Sequence, residues 1–250
     1  MSDSLVVNEV YLSLQGESTL AGLPCVFVRL TGCPLRCSYC DTAYAFTGGQ
    51  RRSFDELLSE IERLAAAYAN PELPAGALAD VRLPLVELTG GEPLAQPAAP
   101  AFMRALCDRG FTVLLETSGA LDIVPVDRRV RRIVDVKCPS SGEADRNRWE
   151  NLAGLQPTDE LKFVIGTAED YAWAKEVLRE RALAGRCPIL FSWVNPLLPP
   201  QRHSSLKPVP PGHTPLDRLD LVGRIIADAL PVRFQLQMHK VIWAPDERGV

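Results

Sequence analysis

The sequence predicts an α/β fold: a partial, open TIM-like barrel of about six parallel βα units, to which the N-terminal strand is an addition. Apolar strand patterns alternate with helical patterns through most of the chain, as expected for parallel strands joined by crossovers. Nearly every predicted strand ends in glycine or polar residues, the position where sites assemble in parallel sheets. The strands are too few for a closed eight-unit barrel.

The first two predicted elements are strands. Residues 6–14 alternate apolar and polar side chains, which is typical of a half-buried strand. Residues 25–30 are apolar except for Arg29, a pattern that favours a strand covered on both faces. An arginine in such a run needs an anionic partner, because burying an unpaired guanidinium is costly. The alternative interpretation is a charge that reaches solvent from the strand end.

A helix is predicted over residues 53–68, because Ser53 and Glu56 form a capping box ahead of an apolar stripe. Residues 70–80 form a linker rich in proline, alanine and glycine. The predicted strands after the linker are 85–89, 112–116, 133–136, 161–165, 189–194 and 232–237. The predicted helices are 100–109, which Gly110 closes, 168–184 and 215–230.

Three cysteines, Cys33, Cys37 and Cys40, lie in a C-x3-C-x2-C pattern that is followed by Asp41 and Thr42. Thiols this close in sequence converge only around a metal or a cluster. No other Cys or His follows in the next ten residues, so a tetrahedral or cubane site is one ligand short. Iron–sulfur cubanes are usually held by four thiolates, and a site with three leaves one iron open to a ligand from outside the protein.

Composition and charge narrow the functional classes. The chain is 46% apolar and 23% charged, which excludes disordered and fibrous proteins. Its 27 basic and 31 acidic residues give a net charge of −4 without a long basic block, so nucleic-acid binding is not expected. No apolar run reaches the roughly 18 residues of a membrane span and the first residues are polar, so we expect a cytoplasmic protein. Clustered rather than evenly spread thiols favour a metal site over disulfides.

The cysteine motif, with Tyr39 directly before its last cysteine, and the Gly-Gly-Glu-Pro turn at residues 90–93 together resemble the radical S-adenosylmethionine (SAM) superfamily. This resemblance implies a [4Fe–4S] cluster on Cys33, Cys37 and Cys40, whose open iron is chelated by the methionine part of SAM. An electron from the reduced cluster then splits the sulfonium, and the resulting 5′-deoxyadenosyl radical abstracts hydrogen from the substrate. The protein positions the cofactor and excludes side reactions.

Further motifs are similar to those of the 7-carboxy-7-deazaguanine synthase family. The discriminating ones are Leu14-Gln15-Gly16-Glu17 and Cys40-Asp41-Thr42, which most radical SAM enzymes lack. Other matches lie at residues 28–30, 32–33, 89–93, 116–119, 135–137, 162–164, 237–240, 243 and 248–250. The resemblance implies a lyase reaction of queuosine or deazapurine biosynthesis, in which 6-carboxy-5,6,7,8-tetrahydropterin contracts to 7-carboxy-7-deazaguanine with loss of ammonia. SAM is regenerated and Mg²⁺ assists.

The resemblance also implies roles for single residues. Substrate contacts are expected from Leu14, Gln15, Gly16, Arg29, Thr89 and His239. SAM contacts are expected from Tyr39, Gly91, Glu116, Asp135, Val136, Lys137 and Asn195. Thr42 is the expected Mg²⁺ ligand, with Asp41 beside it. The chemistry agrees, because an arginine fork can grip the substrate carboxylate and hydroxyl and carboxylate oxygens suit Mg²⁺.

The chain is expected to form one radical SAM domain over residues 1–250, with a cluster loop at 31–42 and a C-terminal extension at 231–250. A homodimer and a flavodoxin-like electron donor are implied by the family resemblance. The proline-rich segment 197–214 is longer than a usual connection and is a lid, a dimer contact or neither.

Two alternatives stay open at this point. A radical SAM activase, which installs a glycyl radical on a partner protein, carries the same cysteine motif. It needs a protein-docking surface in place of a carboxylate pocket, so Arg29 and residues 15–17 disfavour it. A structural zinc module would need a fourth ligand, which Cys138 could supply only from a distance in sequence.

Overall fold

The computed structural model describes residues 3–68 and 81–250, so the linker predicted at 70–80 lies outside the described residues. The described strands are β1 (Ser4–Leu14), β2 (Pro24–Leu30), β3 (Gln50–Ser53), β4 (Leu85–Gly90), β5 (Val113–Thr117), β6 (Arg131–Val136), β7 (Glu160–Ile165), β8 (Ile189–Trp193) and β9 (Arg233–Gln235). The described α-helices are α1 (Phe54–Ala65), α2 (Ala99–Asp108), α3 (Ala168–Glu180), α4 (Arg218–Ala227) and the single turn α5 (His239–Ile242). None of these helices combines the length and apolar character that crossing a bilayer requires.

All nine strands belong to one sheet, in the order β3-β1-β2-β4-β5-β6-β7-β8-β9. The seven strands β2 and β4 to β9 run parallel, whereas β1 and β3 are antiparallel additions at one edge. Because β3 and β9 lie at opposite edges, the described sheet is not closed. The predicted partial, open barrel is confirmed, with seven parallel strands in place of about six units.

The expected alternation of strands and helices fails in the middle of the chain. No α-helix lies among the described residues between β5 and β6 or between β6 and β7, where loops and short 3-10 turns make the connections. Between β5 and β6 a buried side chain supports the loop: Asn151 Nδ2 donates to the carbonyl oxygens of Gly119 and Leu121, and its Oδ1 accepts from Ile123 N. The loop backbone therefore satisfies its polar groups without helical hydrogen bonds.

Local chemistry explains where the helices begin and end. The predicted capping box of α1 is present, since Ser53 Oγ accepts from Glu56 N and the Glu56 carboxylate accepts from Ser53 N. Helix α3 ends before the predicted residue 184, because the backbone turns left-handed at Ala182, with φ 47°. Helix α4 begins later than predicted, because the Asp217 carboxylate caps it. Strand β3 and helix α5 were not predicted.

Side chains alternate across the sheet and so separate the core from the site. On β4, Val86 and Leu88 pack beneath the helices while Glu87 and Thr89 face the barrel interior. On β7, Phe163 packs against the helices while Lys162 faces inward. A third apolar cluster, formed by Leu20, Cys25, Phe27, Val81, Leu83, Leu85 and Leu114, lies apart from these two helix-side clusters.

The turn after β4 packs directly on the backbone that leads into the cysteine loop. Gly91 N donates to Leu30 O at 3.1 Å and Glu92 N donates to Gly32 O at 2.8 Å. A Cβ on Gly91 would lie only 2.1 Å from Gly32 O, and a Cβ on Gly90 only 2.3 Å from Leu30 O. The two glycines are therefore required for contact between two protein segments, whereas the sequence indicated only an approach to ligand.

Gly91→Ala is expected to lower the free energy of unfolding by about 1–3 kcal/mol, because the added methyl group must push the two segments apart. Urea denaturation measures this change. Gly223→Ala is the matched control: its Cβ would meet nothing within 4 Å, and inside α4 it is expected to stabilise by roughly 0.5–1 kcal/mol. Equal effects of the two substitutions would show that the close contact at Gly91 is unimportant.

Candidate active site

A cavity of about 570 Å³ opens at the carboxyl ends of the parallel strands. Its walls include Thr89 from β4, Glu116 from β5, Asp135 from β6 and Ser192 from β8. The sequence prediction that polar strand ends meet at one edge, beside the cysteine loop, is therefore confirmed. In parallel sheets this edge is where binding sites form.

The structure brings almost all of the predicted site residues to this one cavity. Those that line it are Leu14, Gln15, Gly16, Arg29, Cys33, Cys37, Tyr39, Cys40, Asp41, Thr42, Thr89, Gly91, Glu116, Asp135, Lys137, Asn195 and His239. Val136 is the exception, because its side chain packs in the apolar cluster on the helix side of the sheet. Its neighbours Asp135 and Lys137 face the cavity, so Val136 can offer a ligand only its backbone.

The three cysteine thiols share this cavity. Leu35 N donates to Cys33 Sγ at 3.4 Å, and Cys40 Sγ lies 3.7 Å from Thr42 Oγ1. Burial raises the pKa of all three thiols, that of Cys37 to about 11, so they hold their protons until a cationic group binds.

Cys138 does not join the other thiols. It is fully buried on the helix side of the sheet, and its Sγ donates to Val136 O at 3.8 Å. Within residues 3–68 and 81–250, no three Cys, His, Asp or Glu side chains are placed to surround a single metal ion. The fourth ligand that a zinc module needs is therefore not supplied by Cys138.

Asp135 presents a carboxylate oxygen that lacks a partner. Its Oδ2 accepts from Lys137 Nζ at 2.8 Å, whereas the buried Oδ1 has no hydrogen-bond partner among the described residues. A buried acceptor without a donor is destabilising. Because Asp135 lines the cavity beside the thiols, Oδ1 marks a place for a ligand with an N–H or O–H group. The cysteine loop and this oxygen together fit a cluster that carries SAM.

Arg29 is held in a cage of one carboxylate and two aromatic rings. Its Nε donates to Glu9 Oε1 at 2.6 Å and its Nη2 donates to Tyr11 OH at 2.8 Å. The Arg29 guanidinium lies 5.9 Å from the ring centres of both Tyr11 and Tyr44. Burial opposes the Arg29 charge, but the two tyrosines and Glu9 outweigh it and raise the Arg29 pKa. Nη1 has no partner in the described structure, so it is free to bind an anion in the cavity.

The anionic partner that the sequence demanded for Arg29 is Glu9. The two residues are paired across the antiparallel β1–β2 ladder. Sequence reasoning missed Glu9 because the pairing register, which brings it opposite Arg29, includes a bulge between Val7 and Glu9.

Lys162 lines the cavity, and sequence reasoning matched it to a family motif but gave it no role. Its side chain is only 4% exposed, and Nζ forms ion pairs with Glu116 and, at 3.2 Å, with Glu17. Thr89 Oγ1 donates to the same Glu116 carboxylate at 3.1 Å. Burial opposes the Lys162 charge, yet the two glutamates raise the Lys162 pKa well above its ordinary value.

The network continues from Glu17 into the C-terminal extension. Gln237 Nε2 donates to Glu17 Oε1 at 2.9 Å and to Asp41 Oδ2 at 3.3 Å. Lys240 Nζ pairs with Asp41, and His239 Nδ1 lies 4.0 Å from Glu17 Oε1. Asp41, expected beside the Mg²⁺ ligand Thr42, is therefore already engaged by Lys240. The two discriminating motifs, at residues 14–17 and 40–42, and the matching segment 237–240 therefore meet around one hydrogen-bond network.

The proline-rich segment 197–214 covers part of the cysteine loop. Pro200, Gln201, Arg202 and His203 line the cavity. Lys207 N donates to Arg36 O at 2.9 Å, and Lys207 Nζ donates to Glu143 Oε2 at 2.8 Å. Glu143 Oε1 in turn accepts from Arg36 N at 2.7 Å. These contacts join the segment to the cysteine loop.

Comparisons with known proteins agree with the family resemblance that the motifs indicate. The Radical SAM superfamily model matches residues 27–142. A 7-carboxy-7-deazaguanine synthase from Koribacter versatilis is 43% identical over 98% of this chain and 99% of its own length. The 7-carboxy-7-deazaguanine synthase from Chlorobaculum tepidum is 40% identical over 98% of this chain and 97% of its own length. The crystal structure of QueE from Escherichia coli has a similar fold, with a TM-score of 0.66 at 22% identity over 94% of this chain and 95% of that chain.

Lys162→Met is expected to lower the free energy of unfolding near neutral pH by about 3 kcal/mol, because it leaves two largely buried carboxylates without their cation. Lys175→Met, which removes an exposed pair with Asp228, is the control and is expected to cost about 0.5 kcal/mol. Urea denaturation compares the two variants with wild type.

The deficit of the Lys162 variant is expected to shrink as the pH falls to about 5. In wild type, burial alone would raise the Glu17 pKa, but Lys162 and then His239 hold it below its ordinary value. Glu17 therefore stabilises wild type above its unfolded pKa, and this contribution is lost as the pH falls through the lower folded pKa. Without Lys162, burial raises the Glu17 pKa, so protonation favours the folded variant. A deficit that does not depend on pH would contradict the pairing.

Proposed function

The chain belongs to the 7-carboxy-7-deazaguanine synthase family of the radical SAM superfamily, and from this premise we propose how its cavity divides between cofactor and substrate. The enzyme is a radical SAM lyase of deazapurine biosynthesis, and full-length identity of up to 43% supports this function over the activase alternative. The family reaction converts 6-carboxy-5,6,7,8-tetrahydropterin to 7-carboxy-7-deazaguanine and ammonia. The observation that carries the assignment is the shared cavity of three cysteines and the caged Arg29.

Cys33, Cys37 and Cys40 would hold the [4Fe–4S] cluster at one end of the cavity. When bound, the cluster and SAM supply the radical that removes hydrogen from the substrate. Asp135 Oδ1, which lacks a protein partner in the described structure, would accept a hydrogen bond from SAM. Glu116, Tyr39, Gly91, Lys137 and Asn195, with the Val136 backbone, would complete the SAM shell, and all but Val136 line the cavity.

The substrate carboxylate would bind Arg29. Glu9 and Tyr11 hold Nε and Nη2, so the guanidinium is fixed in place before substrate arrives and Nη1 is left to donate. Such preorganisation reduces the entropy that binding costs. Leu14, Gln15, Gly16, Thr89 and His239 would complete the substrate shell, and all of them line the same cavity.

We propose Thr42 as the protein ligand of Mg²⁺. Thr42 lines the cavity, and the neighbouring Asp41 carboxylate is occupied by Lys240. The metal would then depend on oxygen atoms of substrate and water, as Mg²⁺ sites often do. A flavodoxin-like electron donor, a homodimer, a cytoplasmic location and a single-domain organisation over residues 1–250 stay predictions.

Cys37→Ala is expected to lose most of the bound iron after anaerobic purification, because two thiolates cannot hold the cluster. Cys138→Ala is the matched control: it removes a buried thiol that does not line the cavity, so its iron content is expected to equal that of wild type. Iron and sulfide analysis gives both values. Iron loss only in the Cys138 variant would contradict the ligand assignment.

Arg29→Lys tests whether Arg29 binds the substrate carboxylate. A lysine keeps the charge, but its three donors sit on one nitrogen and cannot span Glu9, Tyr11 and a carboxylate as the planar guanidinium does. KM for the carboxy-tetrahydropterin is therefore expected to rise by about tenfold or more while kcat changes less. Turnover by reduced protein is followed by the ultraviolet spectrum of the deazapurine. Arg129→Lys, at an exposed ion pair, is the control.

The outcomes of this experiment separate two statements. Wild-type protein that forms no deazapurine from the pterin would refute the proposed function itself. Wild-type turnover together with an unchanged KM in the Arg29 variant would refute only the role of Arg29.

A further inference from the structure

Glu87 is a buried carboxyl group to which the proposed function assigns no role. It lies in the middle of β4, its residue is 1% exposed, and its side chain lines the cavity. It forms no ion pair within the described residues, whereas the neighbouring Glu116 is paired with Lys162. Buried carboxyl groups without a cation are rare, because desolvation strongly disfavours the ionised form.

Gln15 fixes the orientation of this carboxyl group. The Gln15 Oε1 atom accepts from Glu17 N and from Ser18 N, both at 3.0 Å. Those two donors identify Oε1 as the amide oxygen, so the amide nitrogen must be the atom that points at Glu87. Gln15 Nε2 indeed donates to Glu87 Oε2, at 3.1 Å.

The second oxygen, Glu87 Oε1, has no hydrogen-bond partner among the described residues. Because Oε2 accepts from Gln15, the proton of a neutral Glu87 belongs on Oε1. An O–H donor is thereby held at the wall of the cavity beside Gln15, which is itself an expected substrate contact. The group resembles a carboxylic acid kept neutral by its surroundings so that it can donate a hydrogen bond.

The groups around Glu87 favour the neutral form. The titratable groups that face it are Tyr11 from β1, Cys25 from β2, Glu116 from β5, Lys162 from β7 and Glu17 from the loop after β1. Arg29 from β2 lines the same cavity. Burial and then the negative charge of Glu116 raise the pKa of Glu87 to about 8. The hydrogen bond from Gln15 and then the positive charge of Lys162 oppose this shift, but burial and the charge of Glu116 outweigh them.

We propose that Glu87 is a further substrate-binding residue, whose carboxylic acid is anchored by Gln15 and donates a hydrogen bond from Oε1 to an acceptor atom of the substrate's pyrimidinone ring. This inference rests on the proposed function, because it takes the pterin as the ligand. It gives the ring a contact that is separate from the carboxylate contact with Arg29. Orientation of the bicyclic ring relative to the cysteine loop is thus fixed at two points.

Glu87→Gln and Glu87→Met test this role as a matched pair. The glutamine carboxamide can accept from Gln15 and donate to the substrate, so it is expected to keep Kd and KM for the carboxy-tetrahydropterin within about twofold of wild type. The methionine has a similar length but no donor, so both constants are expected to rise about tenfold or more. Anaerobic titration calorimetry gives Kd and steady-state turnover gives KM. Glu176→Gln, on the exposed face of α3, is the control and is expected to change neither.

The pH dependence adds a readout that a purely structural role would not change. Glu87 is protonated below about pH 8 and ionised above it, so in wild type Kd is expected to be flat near neutral pH and to rise above about pH 8. Glu87→Gln cannot ionise, so its Kd is expected to lack this rise.

Three results would overturn the proposal. The first is a Glu87→Gln variant that binds the pterin as weakly as Glu87→Met, which would show that the negative charge is needed. The second is a Glu87→Met variant with wild-type Kd, and the third is a Glu87→Gln variant that keeps the alkaline rise. Wild-type protein that binds the pterin without converting it would refute the proposed function, while the Kd series would still decide the role of Glu87.

Discussion

The site depends on one buried cation, Lys162, and on the requirement that charges removed from water be paired. Its Nζ meets Glu116 from the end of β5 and Glu17 from the loop after β1. Without that cation the carboxylates, which come from separate elements, would repel one another in a poorly hydrated space. Lys162 therefore joins the loop that follows β1 to the parallel strands, and it offsets part of the negative charge of these two carboxylates.

The same network explains why motifs that are distant in sequence occur together. Gln237 donates hydrogen bonds to both Glu17 and Asp41, and Asp41 forms an ion pair with Lys240. The Gln-Gly-Glu sequence at residues 15–17, the Cys-Asp-Thr sequence at 40–42 and the Gln-x-His-Lys sequence at 237–240 are thus three parts of one structure around the cavity. Changing one of them removes a partner from the next, so these residue types are expected to vary together rather than singly.

Much of this arrangement could be predicted from the sequence, and the limits have physical causes. Strand patterns and polar strand ends predicted the open barrel and the shared edge, because alternation and termination are local properties. The partner of Arg29 could not be predicted, since Glu9 meets it through the register of the β1–β2 ladder. The helix-free connection between β5 and β6 was missed because Asn151, a side chain distant in sequence, hydrogen-bonds its backbone. Glu87 was missed because it reads as one polar residue within an apolar strand.

Electron paramagnetic resonance of the reduced protein, recorded with and without SAM, tests most directly whether three thiolates leave one iron open in this cavity. We expect the spectrum of a reduced [4Fe–4S] cluster that changes when SAM is added, because the methionine amino and carboxylate groups take the open position. A cluster spectrum that SAM leaves unchanged would mean that the fourth position is closed, and would contradict the site described for Cys33, Cys37 and Cys40.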